Sequence, residues 1–405
     1  MIKKTLPIIL FFFILLTNVP LQSRDIDLDG IYLEKNSNLY RQITSAKEKL
    51  YEHISSLFID SNVIYAEWAN GDDIIYIKEF SGINIVYKYT RSRRSRDEIA
   101  RFPGSVTAAF LNKGGNFLYV KTLFYNDDAE AESETVVVNI ISKDIQKKKS
   151  GFLFLDFTLH PSGKAVLHET GKGIVKTDSE TGDNRVVIPR DLFGDLSSGG
   201  DPVLAFISPD EKKTVLISGN GGSYKTKIIT PSGQVDLNGV SSNTDLRWID
   251  NNRFVYRSGG GGDYSVRIYE LSSGKSKEIL SGTMNPDINY SSSPGIITCL
   301  DNQVITVIPR DLKKRISTGL EGEESYFSPD GRKFTSIYLG RLYVSSLNMI
   351  EKYRIEIRRN AEELEALYRK VGETKTVWSN DYTPEYIRKK VNQYDKFLKM
   401  KENTK

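Results

Sequence analysis

The chain has 405 residues, enough for two or three average domains or for one large repeat array. Its net charge of +4 is small for that length and gives no overall basis for nucleic-acid binding. A single Cys excludes internal disulfides, while 22 Tyr, 18 Phe and 31 Gly among many short apolar runs point to an all-β chain.

Residues 1–23 read as a secretory signal. Lys3 and Lys4 give the positive start, residues 6–16 form an apolar run around Phe11, Phe12 and Phe13, Pro20 ends it, and Ser23 is small enough for cleavage. Leu21, two positions before, is large for that site. The run is shorter than the roughly 20 residues that span a bilayer, so a removed signal is expected rather than an anchor. No Cys lies near its end and no later segment is comparably apolar, so the expectation is a periplasmic or secreted protein without stable membrane insertion.

Residues 24–58 form an N-terminal segment. Asp25, Asp27, Asp29 and Gly30 have the spacing of a calcium loop, but Asn36 stands at the twelfth position where Glu is usual. An exposed strand explains the same alternation, so no cofactor is expected, with calcium as the alternative. Thr44-Ser45 is a candidate helix cap, followed by Leu50, Ile54 and Leu57 at helical spacing.

Residues 59–348 repeat one phrase, in which an apolar strand end runs into a polar turn and a second strand. Its clearest copy is Tyr326-Phe327-Ser328-Pro329-Asp330-Gly331, where Pro fixes φ, Asp caps the turn and Gly accepts positive φ. Related phrases start at Leu159 and Ile207, weaker ones at Trp68, Phe110 and Trp248, and a further one near Ser291. The interval is that of a four-stranded propeller blade. A second signal keeps phase: the Gly-rich turns at 219–222 and 259–262 hold one repeat position, so they read as hairpins, not phosphate loops. A β-propeller of about seven four-stranded blades is expected, with six as the alternative count.

At residues 327–333 the chain resembles the WD40-like propeller repeats of the TolB type. The resemblance spans roughly residues 60–348 and implies an exported propeller. It does not extend to TolB itself, which carries a large α/β domain ahead of its propeller, whereas about 35 residues separate the signal from the first unit here.

Arg91, Arg93, Arg94 and Arg96 are the candidate binding residues. Four Arg in six residues could clamp an anionic partner bidentately, although a solvated loop explains them too. No aromatics alternate with them, so nucleic acid is not an expected partner. Asp127, Asp128, Glu130, Glu132 and Glu134 fit a solvated hairpin tip between strands at 116–124 and 135–141. His53, His160 and His168 have no zinc spacing, no nucleophile-elbow motif occurs, and Cys299 reads as a buried small hydrophobe. Residues 349–405 read as a helical pair. The first helix follows Ile350, Tyr353, Ile357, Ala361, Leu364, Leu367 and Val371 to a stop at Gly372, and the second opens at Thr383-Pro384-Glu385.

The expected function is therefore a non-enzymatic envelope binding or scaffold protein that recognises a protein, peptide or glycan through its propeller loops. The alternative is a hydrolase or lactonase with a channel metal held by one ligand per blade, which would leave no local motif.

Overall fold

A computed structural model describes residues 37–112, 114–125, 131–150, 157–198, 202–220, 223–241, 245–260, 263–283, 288–291, 295–301, 304–309, 315–322, 324–374, 387–388 and 391. The signal segment, the Asp25–Asn36 spacing, Asp127, Asp128, Glu130 and the Thr383 cap lie outside them.

Each sequence repeat folds into one antiparallel sheet whose strands follow chain order. Blade 1 is β2 (Val63–Trp68), β3 (Asp73–Phe80), β4 (Ile83–Thr90) and β5 (Ser95–Pro103). Blade 2 is β6 (Ser105–Leu111), β7 (Phe117–Tyr125), β8 (Ala131–Asn139) and β9 (Ile145–Ser150). Blade 3 is β10 (Phe157–Leu159), β11 (Ala165–Thr170), β12 (Gly173–Asp178) and β13 (Asn184–Pro189). Blade 4 is β14 (Leu204–Ile207), β15 (Thr214–Asn220), β16 (Ser223–Thr230) and β17 (Gly233–Asp236). Blade 5 is β18 (Arg247–Trp248), β19 (Arg253–Gly260), β20 (Asp263–Glu270) and β21 (Lys275–Thr283). Blade 6 is β22 (Ile288–Ser291), β23 (Ile296–Asp301), β24 (Val304–Ile308) and β25 (Ile316–Glu321). Blade 7 takes β26 (Glu324–Phe327), β27 (Lys333–Tyr338) and β28 (Arg341–Ser346) from the end of the array, and β1 (Ser55–Asp60) from its beginning. The result is a seven-bladed β-propeller.

The repeated turns share one local chemistry. One of the first two residues after the first strand of a blade offers a short side-chain acceptor to backbone N–H groups ahead of it. Ser328 Oγ accepts from Lys333 N at 3.0 Å, and Ser208 Oγ from Lys213 N at 3.0 Å. Asn112 Oδ1 accepts from Phe117 N at 3.0 Å, and Asp250 Oδ1 from Arg253 N at 2.8 Å. Ser, Asn and Asp are interchangeable here because each reaches the same donors. Gly331 holds the left-handed position at φ 68°, and Glu211 fills that slot in blade 4 at φ 59°. The strands of the two Gly-rich hairpins pair as far as Asn220↔Ser223 and Gly260↔Asp263.

The core lies between blades. Val215, Ile217 and Ile228 of blade 4 pack against Trp248, Phe254 and Tyr256 of blade 5. Ile75, Ile77 and Val86 of blade 1 meet Leu118, Val120 and Val136 of blade 2. Each fully buried side chain of this kind contributes about 1.5–3 kcal/mol. Cys299 is buried among Ile288, Ile297 and Ile308, in keeping with its expected role as a small hydrophobe.

Closure of the ring corrects one sequence expectation. Leu57 was placed on a helical stripe, but it lies in β1 and pairs with Val344 of β28. The free edge of β28 captures residues whose local spacing also fits a helix, which is tertiary pairing overriding propensity. Asp60, at the end of β1, accepts from Tyr76 OH at 2.9 Å, Lys78 Nζ at 2.7 Å, Arg96 Nη1 at 2.6 Å and Ser61 N at 2.8 Å. One carboxylate on the last blade thus holds three side chains of the first.

A second compact unit contains α1 (Ser37–Ile54) and α3 (Arg354–Thr374). Ile43, Ala46, Leu50 and Tyr51 form the buried stripe of α1, and Ile357, Leu364, Leu367, Tyr368 and Val371 that of α3. Lys47 Nζ and the Arg388 guanidinium both lie over the Tyr368 ring, at 5.7 and 5.4 Å. Thr44 and Ser45 sit inside α1 rather than at its start. The run from Ile350 is broken at Tyr353, between α2 (Leu347–Lys352) and α3, and α3 continues past Gly372. Tyr353 O accepts from Ile357 N at 2.9 Å and so opens a new helix.

Candidate functional site

The first strands of the blades surround the propeller's channel. One residue before the strand end, this register places Glu67, Phe110, Phe206, Arg247 and Tyr326, with Thr158 in blade 3. All six line a cavity of about 280 Å³ at the end of the channel where the Ser-Pro-Asp-Gly class of turns lies. Phe157, His160 and Trp248 line it as well. The mouth is thus largely aromatic and aliphatic.

Neighbouring blades satisfy part of the inner backbone edge. Trp248 Nε1 donates to Phe206 O at 2.9 Å, Thr158 Oγ1 donates to Ala205 O, and Phe327 N donates to Ser291 Oγ at 2.8 Å. These bonds fix the rims of the cavity and remove strand-edge groups that would otherwise pair with another chain.

Glu67 carries the cavity's acid. Its Oε2 accepts from Tyr65 OH and from Leu111 N, the latter at 3.2 Å. Burial pushes the carboxyl up, while Tyr65, Leu111 N and the positive charge of Arg247 pull against it, for a pKa of about 7. Arg247 donates through Nη1 to Leu246 O at 2.8 Å. In a ring of seven, blades 1 and 5 are three places apart, the largest separation available, so Glu67 and Arg247 face the cavity from opposite sides. His160 is buried, with Nδ1 2.9 Å from Ser162 Oγ and Nε2 3.5 Å from Glu211 Oε2. Burial and Lys176 lower its pKa, so the imidazole is neutral at pH 7.

The Arg91–Arg96 stretch occupies the β4–β5 turn, on the same face as the cavity but at the outer part of blade 1. Two of its four guanidiniums are paired with carboxylates of the protein itself. Arg91 Nε pairs with Asp72 at 2.7 Å, and Arg96 pairs with Asp60 and lies 4.8 Å over the Tyr87 ring. Arg93 and Arg94 are exposed and have no ion-pair partner among the described residues. At the acidic hairpin, Glu134 pairs with Lys147 at 3.2 Å.

Among the described residues, no three His, Cys, Asp or Glu side chains gather as a metal site requires. Glu67 and Arg247 escaped sequence reading because each blade contributes one residue, which leaves no local motif. The available signal was the register position just before each repeated turn.

No family model and no curated protein matches the chain. Among solved structures it is similar to TolB from Acinetobacter baumannii, at 16% identity and TM-score 0.39 over 56% of this chain and 55% of that one. It is also similar to the tricorn protease, at 12% identity and TM-score 0.46 over 82% of this chain and 37% of that one. The chain spans about half the length of the first and about a third of the second. The propeller assignment rests on the seven sheets themselves.

Proposed function

We propose that this chain is an exported β-propeller binding module of the bacterial envelope, which receives a protein, peptide or glycan partner at the mouth of its channel. The observation that supports this reading is the cavity wall, where Phe110, Phe157, Phe206, Trp248 and Tyr326 surround one carboxylate and one guanidinium. Rigid aromatic walls with few, well-placed polar groups suit recognition, and aromatic and Arg side chains dominate binding energy where they are buried by a partner. Export, to the periplasm or beyond, rests on the basic start and apolar run of residues 1–23.

The hydrolase or lactonase alternative needs several oxygen or nitrogen ligands converging on one point. The lining offers Glu67 and a neutral His160 from different register positions, which favours binding over catalysis. Protein purified from the periplasmic fraction is expected to lack the first 23 residues by N-terminal sequencing and to contain no stoichiometric metal by elemental analysis. One metal ion per chain, removed by mutation of Glu67, would overturn the binding reading. An uncleaved chain retained in the cytoplasm would overturn export.

A further inference from the structure

We propose that the channel mouth is built for a short amphoteric ligand with an apolar body, an amino acid or free-ended short peptide, whose ammonium meets Glu67 and whose carboxylate meets Arg247. The proposal rests on the channel-mouth reading above and names the chemistry of its occupant.

Four features of the cavity point the same way. First, both signs of charge are present, one residue of each among the described lining residues, from blades that stand across the ring from one another. A purely cationic ligand would meet Arg247, and a purely anionic one would meet Glu67. A ligand bearing both charges satisfies each wall. Second, Glu67 Oε2 is occupied by Tyr65 OH and Leu111 N, whereas Oε1 accepts no hydrogen bond among the described residues. That oxygen is the polar valence the site leaves for a donor. An ammonium is the donor that also favours the ionised carboxylate, in a site where burial otherwise disfavours it.

Third, Phe110, Phe206, Trp248 and Tyr326 provide faces that attract an ammonium and cover an apolar side chain. A neutral sugar brings no counter-charge to Glu67 or Arg247. Fourth, a cavity of about 280 Å³ lies near the lower end of small-molecule sites, which suits one or two amino-acid residues rather than a folded element.

The test is isothermal titration calorimetry on the full mature chain. Its probes are the free-ended dipeptide of leucine and phenylalanine, the N-acetylated form and the C-amidated form. The free-ended dipeptide should bind, and blocking either end should weaken binding at least about tenfold, as expected for the loss of one charge-assisted contact. Glu67→Gln should lose the discrimination against the acetylated form and keep that against the amide. Arg247→Gln should do the reverse. If a variant fails to fold, judged by its melting curve, the comparison of the three probes on the unaltered chain decides. Equal binding of free and blocked forms overturns the proposal, and so does binding of none of them. Neither result touches the wider channel-mouth reading, which is judged by where a partner crosslinks.

Discussion

Asp60 and Glu67 are carboxylates seven positions apart, and their surroundings push them in opposite directions. Burial would raise Asp60, but the bonds from Lys78, Ser61 N and Tyr76 overcome it and hold its pKa below the ordinary 3.8. At Glu67 burial prevails, because its bonds are fewer and the positive charge of Arg247 is the smallest of the influences that pull against it. The first arrangement is structural and the second leaves a carboxyl poised near neutrality. A carboxyl whose folded pKa is depressed adds stability that is present above its unfolded value and lost as pH falls through the folded one. Asp60→Asn should therefore lower stability at pH 7 by about 2 kcal/mol, with the difference shrinking below about pH 4. Denaturant unfolding at pH 7 and pH 3 checks this, and a deficit that persists unchanged at pH 3 would argue against the ionic origin. The sequence showed Arg96 but not its partner, since Asp60 and Arg96 meet only when the first and last blades close.

At the scale of the element, turns were the most legible part of the chain. Ser328, Pro329, Asp330 and Gly331 act within a few residues of one another, so their chemistry can be read without knowing the fold. Even the imperfect copies kept the rule, with Asn112 and Asp250 doing what Ser328 does. Strand β1 was illegible for the converse reason: its partner β28 lies at the far end of the array. The turn rule also exposes a weak unit. Glu211 adopts the left-handed conformation that Gly takes in sister turns, at a cost of about 1–2 kcal/mol. Glu211→Gly should relieve this, less the larger unfolded-state freedom of Gly, for a net gain of about 0.5–1 kcal/mol. A thermal melt of the variant checks the gain, and a lower melting temperature would mean that the Glu211 contact to His160 outweighs the strain.

The whole molecule repeats one sheet seven times, and what individualises it is written where the repeat is broken. At the register position before each turn, aromatic residues give way to Glu67 in blade 1, Thr158 in blade 3 and Arg247 in blade 5, and the ring brings the two charged ones to one cavity. The Arg91–Arg96 turn, more conspicuous in the sequence, spends two of its four guanidiniums on Asp72 and Asp60. Blade count and order were open to sequence reading, whereas a site assembled from one residue per blade was not. The central claim, that partners enter at the channel mouth, is tested most directly by photo-crosslinking in cells. A photoreactive phenylalanine analogue replaces Phe206 at the mouth or, in a parallel strain, Arg93 at the rim. The account predicts a partner adduct from position 206 and none from position 93. Adducts from 93 with none from 206 would contradict it and return the site to the arginine turn.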